Sequence, residues 1–220
     1  MITEVYNLRK AGLLNDALIS ALEAYKANDC RVNKLSLAWV YYDYCKRAVN
    51  ERLIHGFLYT VGRLKELLVA EDVVISDRLL WQYVKFFSVL QKEQPKAYEE
   101  IDLLFESLKG IYFTMPSKGF SALIAQLHKC YIETDKYLET MGEVIPFLGE
   151  EDFRPKMYRD IYIYPLAEQI YLRYCQKLSE IGDKEIMEMF APILSRWLIA
   201  HPEYRSLLYY QSKIRDYIGS

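Results

Sequence analysis

Apolar residues return every three to four positions along most of this 220-residue chain, and that period constrains its fold more than any single motif does. A 3.6-residue repeat lines one face of an α-helix. Leu14, Ala17, Leu18, Ala21, Leu22 and Tyr25 follow it, as do Ile54, Phe57, Leu58, Val61, Leu64 and Leu68. Later stretches include Phe120, Leu123, Ile124, Leu127 and Tyr131, and then Phe190, Ile193, Leu194 and Trp197. Strict period-2 alternation is nearly absent. The best strand segment is Asp160–Tyr164, which reads equally well as a helix start interrupted at Pro165, because the residue before proline is pushed out of the α region.

Only 9 glycines and 7 prolines interrupt the pattern, against a combined share of roughly 12% in average usage. An all-β chain needs a turn every few residues, so that class is excluded. The expectation is an all-α fold of antiparallel helical hairpins, with about 11 helices near the usual length. Breaks are expected at Gly12, at Asp72–Ser76 with Ser76 as N-cap, and at Pro95, Pro116 and Pro202 in first-turn positions. Asp183 after Gly182 is expected to cap a helix. The chain reads as one domain over residues 1–220, with a subdomain break near 149–155 in the polar run Gly149–Pro155. Short connections make successive helices antiparallel neighbours.

Charge excludes little but directs expectation. Lys+Arg total 28 and Asp+Glu 30, a net charge of −2, whereas dedicated nucleic-acid binders are usually strongly basic. No stretch reaches the roughly 18 apolar residues of a membrane span, and residues 1–10 carry no signal-peptide pattern. Cys30, Cys45, Cys130 and Cys175 form no C-x-x-C pair and read as small buried hydrophobes in a reducing compartment. The expected location is the cytoplasm, without membrane attachment.

The periodic segments also suggest a longer repeat. Leu8, Gly12, Ala17, Ala21 and Ala24 carry the spacing of a tetratricopeptide repeat's second half, with a turn glycine and small residues where helices press together. A step of 34 residues takes Leu8 to Tyr42 and Val5 to Trp39, so Leu35–Tyr42 reads as the first helix of a second unit. That unit then departs from the pattern, with Lys46 at the turn position and Glu51 at a small-residue position. Phe190, Leu194, Trp197 and Pro202 recover similar spacing near the C-terminus. The result is a degenerate TPR-like α-α superhelix.

The chain resembles an uncharacterised TPR-like family of bacterial conflict (defence-associated) proteins. Leu8–Gly12 with Ala17, Leu37–Tyr44, Pro116–Ser121, Pro165–Glu168 and His201–Pro202 with Tyr209–Tyr210 carry the likeness. The resemblance implies a module that stands beside nucleic-acid-related domains, and it brings no catalytic residues with it.

Catalytic motifs are missing: there is no phosphate loop, no H-E-x-x-H and no G-x-S-x-G. His128-Lys-Cys130 points its two ligand types in different directions on a helix, so a buried helix histidine is the favoured reading there. Glu99–Glu100 and Glu150–Asp152 read as solvated loop ends. No cofactor or metal is expected, and an enzyme is not.

Tyrosine is abundant, at 20 residues. Its ring buries area while its hydroxyl seeks a partner, which suits the half-buried positions of a thin helical layer. Two regions are the candidate partner-binding residues. Tyr6, Arg9, Asn33, Ser36 and Asp43 would face the concave side of the first hairpins, and Arg154, Tyr158, Arg159 and Tyr162 form a basic–aromatic stretch. Lys and Asn are missing where a carboxylate-gripping repeat would place them, since Ile2 and Tyr6 stand there. The expected function is a non-enzymatic protein–protein interaction scaffold of TPR-like type. The alternative is a nucleic-acid-associated accessory module of a bacterial conflict system.

Overall fold

The computed structural model describes residues 2–68, 72–93, 96–108, 118–148, 156–158, 161–163, 165–200, 202 and 205–219. Those residues form eleven α-helices, one 3-10 turn and one two-stranded hairpin, so the fold is all-α as the periodicity requires. The helices are α1 (Ile2–Lys10), α2 (Leu14–Ala27), α3 (Arg31–Glu51), α4 (Ile54–Leu67), α5 (Val73–Gln91), α6 (Tyr98–Leu108), α7 (Lys118–Tyr131), α8 (Tyr137–Val144), α9 (Leu166–Ile181), α10 (Lys184–Ala200) and α11 (Arg205–Gly219). The 3-10 turn, Ile145–Phe147, follows α8 directly.

The exception to the helical rule lies between α8 and α9. Strands β1 (Lys156–Tyr158) and β2 (Ile161–Ile163) pair antiparallel, with Met157 opposite Tyr162. The β-branched and aromatic residues of β2 are the ones that made Asp160–Tyr164 the best strand segment in the sequence. The hairpin takes up the strand reading of that segment rather than the helical one.

Turn chemistry explains several helix ends. Gly12 takes φ 77 between α1 and α2, and Leu13 N–H closes back on Leu8 C=O at 3.0 Å. Gly182 takes φ 69 after α9, and the Asp183 carboxylate accepts Ile186 N–H at 3.1 Å, the expected N-cap of α10. α5 begins earlier than expected. Asp72 is its N-cap residue and Ser76 lies in the first turn, its N–H donated to Asp72 C=O at 3.1 Å. Four consecutive residues of helical geometry from Val73 onward outweigh a weak capping preference at Ser76. Pro95, Pro116 and the run 149–155 lie outside the described residues.

The chain divides into two compact units, Met1–Gln126 and Leu127–Ser220. In the first, α1 packs on α2 and α3, α3 on α4 and α5, and α6 on α4 and α5. α1, α3 and α5 therefore touch in succession as one layer, and α4 and α6 touch each other. The small residues of α2 permit this: Ala17 and Ala21 are completely buried, which lets neighbouring axes come close. Deeper in the unit, Phe57 meets Tyr83 and Phe86 edge-on at centroid distances of 4.9 and 5.3 Å. The Tyr83 hydroxyl is satisfied by Ser107 Oγ at 2.7 Å.

The second unit packs α8 on α9, and α9 on α10 and α11. Tyr171 stacks on Trp197 at 4.8 Å, and Tyr174 meets Phe190 at a tilt with the ring centroids 4.5 Å apart. Tyr41, Tyr42, Tyr83, Tyr131, Tyr137, Tyr171 and Tyr174 are all buried. Much of the tyrosine content is core, with each ring filling space between helices.

Candidate functional site

Three helices of the first layer converge on Trp39. α1 ends in Tyr6, Arg9 and Lys10, where basic residues also suit the negative end of the helix dipole. α3 presents Val32, Leu35, Ser36, Trp39, Tyr42, Asp43 and Lys46 at three- and four-residue steps, one continuous stripe of helix surface. The other faces of α3 bury Leu37, Val40, Tyr41, Cys45 and Ala48. α5 adds Arg78. One cavity here, of about 480 Å³, is bordered by Tyr6, Val32, Leu35 and Trp39. A second, of about 380 Å³, is bordered by the charged residues Arg9, Lys10, Asp43, Lys46 and Arg78.

Every aromatic ring of this groove carries a cation. The guanidinium of Arg9 lies 5.3 Å from the Trp39 ring centroid and that of Arg78 lies 5.2 Å from it. Lys10 stands 4.8 Å from Tyr6 and Lys46 stands 5.8 Å from Tyr42. Each lies within the roughly 6 Å at which a cation is attracted to the ring quadrupole. Tyr42 is itself held, edge-on to Trp39 at 5.6 Å and with its hydroxyl accepting from Gln82 Nε2 at 3.0 Å.

One carboxylate faces these four cations. Asp43 accepts from Arg9 Nε at 2.7 Å and from Lys46 Nζ at 3.1 Å, and both partners of the Arg9–Asp43 pair are largely shielded from solvent. Among the described residues no carboxylate pairs with Lys10 or Arg78. The groove therefore has an unbalanced positive charge inside a chain whose net charge is −2.

The structure gathers Tyr6, Arg9, Ser36 and Asp43 into this groove. Asn33 has another task. Its side-chain amide donates to Ala24 C=O at 3.0 Å and Asn28 C=O at 2.9 Å, satisfying carbonyls at the end of α2. Tyr158 and Tyr162 lie on the two strands of the hairpin, while Arg154 and Arg159 lie outside the described residues. Sequence reasoning did not single out Trp39, Lys46 or Arg78 as site residues. A signal for Arg78 existed: it follows Asp43 by 35 positions, as Asp43 follows Arg9 by 34.

Two polar side chains elsewhere, His128 and Cys45, serve packing. His128 Nδ1 meets the Tyr137 hydroxyl at 2.9 Å, and burial, reinforced by Arg173 and Lys129, pushes the imidazole down to about 4. Burial pushes the Cys45 thiol, which contacts Thr60 Oγ1 at 3.1 Å, up to about 12. A protonated thiol of that kind is a poor nucleophile. Among the described residues no group of three His, Cys, Asp or Glu side chains could hold a metal ion, and no helix is long and apolar enough to cross a membrane. Compared with family models, with curated proteins and with solved structures, the chain matches none.

Proposed function

We propose that the chain is a TPR-like helical scaffold of the cytoplasm that binds a protein partner on the α1–α3–α5 face and catalyses no reaction. The groove around Trp39 carries this reading. Exposed apolar surface, preformed cation–π pairs and cations with no carboxylate partner among the described residues coincide there, and such a mixture of aromatic and arginine groups typifies the energetic centre of protein interfaces. The succession of contacts α1–α3–α5, with α2 on α1 and α3, α4 on α3 and α6 on α4, supports the helical-repeat part of the proposal. The Arg9–Asp43 pair at a separation of 34 supports the period. Four free cysteines, three of them buried, suit a reducing compartment.

A photo-crosslinking amino acid at Val32, which is 53% exposed, tests the proposal inside native cells. A discrete protein adduct that is absent when the same group replaces Glu23, on α2, is the expected result. Adducts to nucleic acid alone would transfer the groove to the accessory-module reading. Absence of any adduct from a folded protein would remove the scaffold proposal.

A further inference from the structure

We infer that the groove around Trp39 takes a linear acidic peptide that carries an apolar side chain next to its carboxylates, and that Asp43 is a built-in competitor for the same cations. The inference rests on the scaffold reading and specifies its partner.

The ligand class follows from what the groove exposes. Both Arg9 and Arg78 lie over the Trp39 ring at 5.3 and 5.2 Å, so the indole is already engaged by two guanidinium groups. A nucleobase would have to displace one of them to stack there, and single-stranded nucleic acids gain much of their affinity from open aromatic faces. What the groove offers instead is cationic heads held in place by rings. Guanidinium groups fixed in this way match planar carboxylates with little loss of side-chain freedom. Arg78 is exposed and without a carboxylate partner among the described residues, which makes it the first anchor for an incoming acid.

The apolar requirement comes from the adjoining cavity. Tyr6, Val32 and Leu35 border it, and Tyr6 and Val32 are each about half exposed. A peptide with alternating acidic and apolar side chains fills both parts at once, whereas a polyanion alone would leave the apolar half in water.

Asp43 sets the threshold. Its carboxylate occupies Arg9 Nε at 2.7 Å and Lys46 at 3.1 Å. A bound acid must share or replace these contacts, so the groove binds segments with more than one carboxylate in preference to isolated acids.

The test is fluorescence anisotropy with the intact protein and three labelled probes: a hexapeptide of alternating Glu and Leu, its Gln-for-Glu counterpart, and an oligo-dT strand. The Glu peptide is expected to bind best, with affinity falling as salt rises. Arg78→Ala should weaken it roughly tenfold, the equivalent of one charge-assisted hydrogen bond. Asp43→Asn, which removes the competing charge at constant shape, should tighten it several-fold. Circular dichroism melts confirm that both variants fold, and Arg78→Ala alone suffices if Asp43→Asn does not. Equal binding of the Glu and Gln peptides, tighter binding of oligo-dT, or indifference to Arg78→Ala would overturn the inference. Val32 adducts to a protein would survive such an outcome, so failure of the acidic assignment is distinguishable from failure of the scaffold reading.

Discussion

At Asp43 two cations from different helices meet one carboxylate, and the neighbouring residues show how single positions divide between building the fold and facing solvent. Asn33 sits on the same helix as Ser36 and Trp39, yet its amide closes the end of α2. Asn33→Ala should therefore cost about 1 kcal/mol in chemical denaturation, without changing ligand affinity at the groove. Gly119 is constrained by proximity. Its N–H donates to Asp77 Oδ1 at 3.1 Å, and a Cβ there would stand 2.7 Å from that oxygen and 3.0 Å from the Asp77 carbonyl. Gly119→Ala should lower stability by about 1–3 kcal/mol through overpacking, read from the urea midpoint. In the sequence reading Gly119 stands within Pro116–Ser121, one of the stretches that carry the family likeness. The close approach of α7 to α5 that requires glycine depends on a partner 42 residues away, which local pattern does not reveal.

The helix is the scale at which the sequence was most legible. Period 3.6 located the elements because each helix buries one stripe against its neighbours. In α2 the fully buried set is Ala17, Ala21 and Ala24, the small residues of the repeat spacing, while Leu14, Leu18, Leu22 and Tyr25 of the apolar stripe are half-buried. Ala21→Leu should push α2 away from its neighbours and cost about 1–3 kcal/mol, while Glu23→Leu on the exposed side should be near neutral in the same denaturation assay. α3 was harder to read, because a groove stripe containing Trp39 and Tyr42 lies beside its core stripes, and apolar spacing alone does not separate a ring packed inside from one that carries a cation. Ser76 shows the limit at helix ends, where capping preference is weaker than the propagation of helical geometry.

α7 and α8 give a pH prediction. The His128 imidazole, in hydrogen-bond contact with Tyr137, is held down to about 4, whereas an unfolded histidine titrates near 6.5. Between those values the unfolded chain binds a proton that the native protein does not, so stability falls as pH drops from about 6.5 to about 4 and the contribution levels off below. The difference amounts to the order of 3 kcal/mol. His128→Gln should lose that part of the pH dependence, measured as the difference between wild-type and variant denaturation curves at pH 7 and pH 4.5. Identical slopes would refute the buried neutral state.

Across the whole chain, a net charge of −2 conceals a local basic groove, since composition averages over faces that folding separates. The tyrosine abundance divides in the same way. Most of the buried rings belong to cores, while Tyr6 remains at the groove edge. The division into units at Gln126 falls inside α7, a place without glycine, proline or a polar run, so no compositional cue announces it. The most direct test of the account is backbone NMR shift mapping of the intact protein during titration with the alternating Glu–Leu peptide. Shifts confined to Tyr6–Lys10, to Val32–Lys46 and to the α5 turn around Arg78 are the predicted result. Saturable shifts centred on α2, α4 and α6 or on α9 to α11, with the α1–α3–α5 face silent, would contradict it.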